Sequence, residues 1–110
     1  MTRAGPGAWK AAEATQRINS CAKSDALTLA LTFHAKERMR ERGLIVADIL
    51  HLLRYGFVYE APEEATRDGF FKYKMEGTTP NSEARTVRAV IIPDGRAGIK
   101  VITVMWRDEK

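Results

Sequence analysis

An α+β fold is predicted for this chain, with N-terminal helices packed on one face of a mainly antiparallel sheet of four to five strands. Three observations predict it. Apolar residues recur mostly at helical three- and four-residue steps as far as Tyr55, and the period turns extended after Gly56. Pro93-Asp94-Gly95 combines a fixed φ, an Asx acceptor and a residue free to take positive φ, which predicts a hairpin between the last two extended runs. The 110 residues, 45% hydrophobic and 29% charged, suit one folded domain and one core.

The elements follow in order. From Ala8 to Ser24, Ala11, Ala14, Ile18, Cys21 and Ala22 form one thin apolar stripe, so the first helix is expected to bury little and to serve as a docking arm. Residues 1–25 are read as a helical extension and residues 26–110 as the domain proper. Ala26 to Thr32 reads as a short buried strand, with Thr32 capping a helix from Phe33 to Arg42 that Gly43 ends. Val46 to Tyr55 follows as a helix with Ile49, Leu52 and Leu53 on its apolar face. Strands are expected near Phe57–Glu60, Gly69–Glu76, Arg85–Ile92 and Ile99–Arg107, with a loop at Thr78–Ser82.

Composition excludes several classes. No apolar run is long enough to span a bilayer, and the first ten residues lack the apolar block of a secretory signal, so a cytoplasmic protein is expected. Cys21 is the sole cysteine, so no internal disulfide and no sulfur-rich metal site are expected. Glu60, Glu63, Glu64 and Asp68 read as a solvated loop more readily than as a cation site. No metal and no cofactor are implied. A net charge of +4 permits an anionic partner.

The segment richest in chemistry is His34 to Gly43. On a helix, His34, Arg38 and Arg42 lie along one stripe that drifts by only about 80°. Nearby guanidinium groups and the helix N-terminus both disfavour a protonated imidazole. A neutral imidazole beside two permanent cations suits metal-free phosphodiester cleavage, in which the imidazole takes the 2′-hydroxyl proton and the cations stabilise the anionic phosphorus. The default for these residue types is a solvated helix face whose Glu37 and Glu41 pair with neighbours.

The pattern His34-Ala35-x-x-Arg38-Met39-x-x-Arg42-Gly43-Leu44, followed by an apolar helix and a final Ile102-Thr103-Val104-Met105-Trp106, resembles an uncharacterised domain-of-unknown-function family. That family is placed in the barnase–EndoU–colicin–RelE superfamily of ribonucleases and toxins. The resemblance covers roughly residues 27–107. It implies a RelE-like domain with a small sheet carrying the active surface, metal-independent RNA cleavage in active members, and an antitoxin or immunity partner. His34, Arg38 and Arg42 fall on the helix motif, and Thr103 on the last-strand motif. In place of the family's polar cap before the second helix, this chain has Ile45-Val46.

A second constellation lies on the strands. Lys72 and Lys74 alternate with Phe71, Tyr73 and Met75, so one face is core and the other basic. Arg88, and Lys100 or Arg107, are expected to extend that face, and Trp106 or Tyr73 to stack a base, although strand aromatics are more often core. His51 has no recognisable partner and reads as structural or solvent-facing. Three functions follow: a toxin-like endoribonuclease, a catalytically inert interaction module that self-associates through the first helix, and an RNA or DNA binder without cleavage.

Overall fold

The computed structural model describes residues 5–109, so the first four residues of the expected extension lie outside it. The elements run α1 (Ala11–Lys23), β1 (Thr28–Leu31), α2 (Phe33–Glu41), α3 (Val46–Tyr55), β2 (Phe57–Val58), β3 (Glu63–Glu64), β4 (Phe71–Gly77), β5 (Val87–Pro93) and β6 (Gly98–Trp106). The mixed α+β architecture and its element order agree with the hydrophobic periodicity. Among the described residues no helix is long and apolar enough to cross a membrane.

Strand number and pairing depart from expectation. The sheet has six strands in the order β1-β6-β5-β4-β2, with β3 also on β4. The acidic Glu63-Glu64, expected in a loop, pairs with Lys72 and Phe71 as a short antiparallel edge strand. β1 runs parallel to β6, from Thr28 opposite Gly98 to Leu31 opposite Val101. Its partner lies some seventy residues downstream, and no local pattern announces a contact of that range.

The helices and the sheet share one core. Tyr73 and Met75 on β4, Val87, Ala89 and Ile91 on β5, and Ile99, Val101 and Val104 on β6 pack with Ile49, Leu52 and Leu53 of α3. Ala35 and Met39 bring α2 into the same cluster. The opposite sheet face carries Lys74, Glu76, Arg88, Val90 and Thr103, fixed by the registers Glu76↔Arg88, Lys74↔Val90 and Val90↔Thr103.

The docking-arm reading of α1 is corrected. Ala14, Ile18 and Ala22 are buried in the core, and α1 lies against α3 and β2 of its own chain. Asn19 Nδ2 donates to the Leu53 carbonyl at 2.7 Å, and Thr15 Oγ1 accepts from Val58 N at 2.9 Å. A stripe of small side chains buries little area per residue, yet it permits close approach, and Ile18 fills the remaining space. Glu13, Gln16, Arg17 and Ser20 make the outward face polar, which leaves no apolar stripe on α1 for a second subunit.

The start of α3 answers the missing polar cap. Asp48, three residues into the turn, accepts from Ile45 N at 2.8 Å, the reciprocal half of a capping box, while Asp48 N donates to the Ile45 carbonyl at 2.9 Å. The same carboxylate accepts from Asn81 N at 2.8 Å and Asn81 Nδ2 at 3.0 Å, tying the helix to the Thr78–Ser82 loop. Burial pushes this acid up, but the hydrogen bonds from Ile45 and Asn81 outweigh it and hold Asp48 below the ordinary carboxylate range.

Candidate nucleic-acid interface

The face of the sheet turned away from the helices is its basic side. Lys72 and Lys74 rise from β4, Arg88 from β5 and Lys100 from β6, and Arg107, just past the end of β6, reaches Glu76 on the same face. Lys100 and Arg107 are seven residues apart and along a regular strand would point to opposite faces. A bulge reconciles them. Val90 pairs with Thr103 and Ile91 with Val101, so Ile102 is the extra residue and the parity of β6 changes there. Lys100, Thr103, Met105 and Arg107 therefore share the uncovered face.

Trp106 is corrected by the same shift. It pairs with Val87, on the core side, where it is partly buried against the hydrophobic cluster, and Arg85 lies over its ring at 4.2 Å. Tyr73 is core as well. Its hydroxyl accepts from Trp9 N at 2.8 Å and its ring stacks on Trp9 at 5.6 Å.

One buried carboxylate interrupts the basic face. Glu76 is 5% exposed and takes Arg88 at 2.9 Å on one oxygen and Arg107 at 3.4 Å on the other. Together these groups carry one net positive charge, and the carboxylate fixes where the two guanidinium groups stand. Lys74 reaches Glu60 only at 3.8 Å. Lys72 and Lys100 form no ion pair among the described residues.

Two clefts open on this face. The larger, about 820 Å³, is lined by Glu76, Arg88 and Arg107 on the sheet and by His51, Phe57 and Tyr59 at the β2 edge. The smaller, about 350 Å³, lies beneath the loop preceding β4 and is lined by Phe70, Lys72, Ile92, Lys100 and Ile102.

The helix constellation is brought together only in part. Thr32 Oγ1 accepts from Ala35 N at 3.0 Å and donates to the Ile102 carbonyl at 2.8 Å, so the expected cap also fastens α2 to β6. His34 is exposed in the first turn, with Arg38 Nε 3.5 Å from its Nε2. Arg38 also binds Glu41 at 2.6 Å. Arg42 is committed elsewhere. Its side chain is 11% exposed and its guanidinium is held by both carboxylate oxygens of Glu109 and by Glu41 at 3.2 Å. Hydrogen bonding to Arg38 holds Glu41 below the ordinary carboxylate range, and hydrogen bonding to Arg42 does the same for Glu109. Of the three side chains that helical spacing was expected to bring together, only His34 and Arg38 stand side by side.

The pattern of the domain of unknown function DUF4258 matches residues 31–106. The chain belongs to this family. The DUF4258 match runs from the end of β1 through β6, so it contains the basic face up to Arg107, which lies just beyond it, and leaves α1 outside, although α1 completes the core. No curated protein and no solved structure matches the chain significantly.

Sequence reasoning passed over Glu76, Phe57 and Tyr59. Alternation from Phe57 to Tyr59 was a usable signal for the two rings. Glu76 sits in phase with Lys72 and Lys74, and that phase was enough to put it on the basic face.

Proposed function

We propose that this chain is a RelE-like RNA-directed domain that engages RNA on the uncovered face of its sheet and cleaves it without a metal. One observation carries the reading: five cations, Lys72, Lys74, Arg88, Lys100 and Arg107, share that face with a single buried carboxylate, Glu76. A phosphodiester backbone is the ligand that such a two-dimensional array of positive charge recognises.

Cleavage requires a group that removes the 2′-hydroxyl proton. The 2′-oxygen then bonds to phosphorus, the bond from phosphorus to the 5′-oxygen breaks, and the departing oxygen takes up a proton. His34 is the proposed base, with the Arg38 guanidinium beside it to stabilise the anionic phosphorus; both stand on α2, on the other side of the sheet, so the proposal requires the bound strand to continue past the sheet edge to reach them. A partner that silences such a surface, as an antitoxin does, would present carboxylates to it.

The locking of Arg42 favours a second reading, an inert interaction module of the same fold. One experiment separates them. Mixed RNA is incubated with the protein in excess EDTA, alongside His34→Ala and the double variant Lys72→Glu/Lys100→Glu. Cleavage lost in both variants supports the nuclease. Binding without cleavage, abolished only by the double variant, retains the RNA surface and refutes catalysis. Neither binding nor cleavage leaves the interaction module.

A further inference from the structure

We infer that the larger cleft takes a single-stranded segment of RNA, with unpaired bases stacked on the rings at its β2 edge and phosphates on Arg88 and Arg107; this rests on the proposed RNA reading. The edge is aromatic and open. Tyr55, Phe57 and Tyr59 are 58%, 53% and 67% exposed, and all three line the cleft. Solitary surface aromatics are ordinary, but here the Phe57 and Tyr59 rings stand 6.1 Å apart and the His51 and Tyr55 rings 4.9 Å apart along one wall.

The floor of the cleft complements that wall. Phe57 pairs with Glu76, and Glu76 with Arg88, so a ring, a carboxylate and a guanidinium form one row across the sheet. Arg107 contacts Glu76 through Nε and keeps 62% of its side chain in solvent, which leaves a guanidinium edge for a phosphate. Glu60, on the rim, is answered by Lys74. The cleft therefore sets apolar rings beside net positive charge. That pairing fits a nucleotide strand whose bases are free.

A duplex cannot use both halves. Its bases already stack on one another, so an A-form helix offers phosphates and 2′-hydroxyls but no π-face to these rings. Single-stranded RNA offers both, and each base stacked on an aromatic side chain adds to affinity without demanding a sequence.

The test is fluorescence anisotropy with a labelled 2′-O-methyl RNA of about 12 nucleotides, which resists 2′-hydroxyl cleavage, and with the blunt duplex of the same sequence. The single strand is expected to bind at least about tenfold more tightly. The double variant Phe57→Ala/Tyr59→Ala should weaken single-strand binding by about tenfold or more while leaving duplex binding and the unfolding midpoint unchanged, since both rings are more than half exposed. Equal affinity for strand and duplex, lost on Lys72→Glu/Lys100→Glu, would overturn this inference and leave the basic-face reading intact. An unchanged strand affinity in the aromatic variant overturns it as well. If neither probe binds, both the inference and the proposed function fail, and the aromatic wall is a protein contact.

Discussion

On the proposed RNA reading, salt dependence measures how many phosphates the basic face neutralises. Lys72, Lys74 and Lys100 contribute one charge each, and Arg88 with Arg107 contribute one more after Glu76 is subtracted; partial sharing of Lys74 with Glu60 makes the effective number roughly three to four. Each phosphate contact on a single strand adds about −0.7 to the slope of log K against log salt, so the slope should be about −2 to −3. Between about 50 and 200 mM salt, affinity should then fall roughly 20- to 50-fold. Lys72→Ala/Lys100→Ala removes the two cations without a carboxylate partner and should flatten the slope by about 1.4, reducing the same loss to roughly three- to sevenfold. Both lysines are partly or fully exposed, so the variant should fold as the parent does. The assay is anisotropy over a salt series with an uncleavable RNA. A parent slope flatter than about −1, or a variant slope equal to the parent's, would refute the assignment of this face to phosphate.

Four further outcomes follow from the packing and the ion pairs. Asp48→Ala strips hydrogen bonds from two backbone N–H groups and should cost about 2–4 kcal/mol in urea unfolding. Because the folded Asp48 is held below its ordinary range, its contribution is full above about pH 4 and is lost as pH falls through the depressed folded value; parent and variant stabilities should therefore converge in acid, and a constant gap would contradict the assignment. Ile18→Ala should cost about 2–5 kcal/mol if α1 is a core element, whereas a detached arm would lose almost nothing. Glu76→Gln should lower stability by about 1–3 kcal/mol yet tighten RNA binding, since it frees two guanidinium groups; loss of both properties would mark Glu76 as a ligand contact. Arg42→Lys keeps the charge but cannot grip Glu109 with two nitrogens, and should lose about 1 kcal/mol of stability with RNA binding unchanged.

What could be read from sequence depended on range. Local chemistry was legible: the Thr32 cap, the Gly43 terminus at φ 69°, and the Asp94-Gly95 turn, where Asp94 Oδ1 accepts from Arg96 N at 2.7 Å and Gly98 N at 3.0 Å. The basic side of β4 followed from strict alternation of Lys72 and Lys74 with Tyr73 and Met75. The parallel pairing of β1 with β6 was not legible, because hydrophobic pattern fixes which face is buried and not which distant strand lies beside it. The bulge at Ile102 was invisible for a related reason. Nothing in Val101-Ile102-Thr103 marks an extra residue, yet it decides that Lys100 and Arg107 lie on one face and that Trp106 belongs to the core side.

The motif on α2 divides in a way that spacing alone could not reveal. Ala35 and Met39, four residues apart, are its buried positions, and Gly43 supplies the positive φ at which the helix stops. Arg42 joins that structural set. Glu109, which grips it, also accepts from Trp106 N at 3.0 Å, so the guanidinium fastens the end of α2 to the turn that follows β6. Removing Arg42 would free a carboxylate cluster and loosen that turn, and a loss of activity in such a variant would say nothing about phosphate binding. His34 and Arg38 stand apart from this framework: the imidazole is exposed, and among the described residues the guanidinium beside it forms an ion pair with the exposed Glu41 alone. Variants at His34 and Arg38 therefore test the proposed function with the fold left in place.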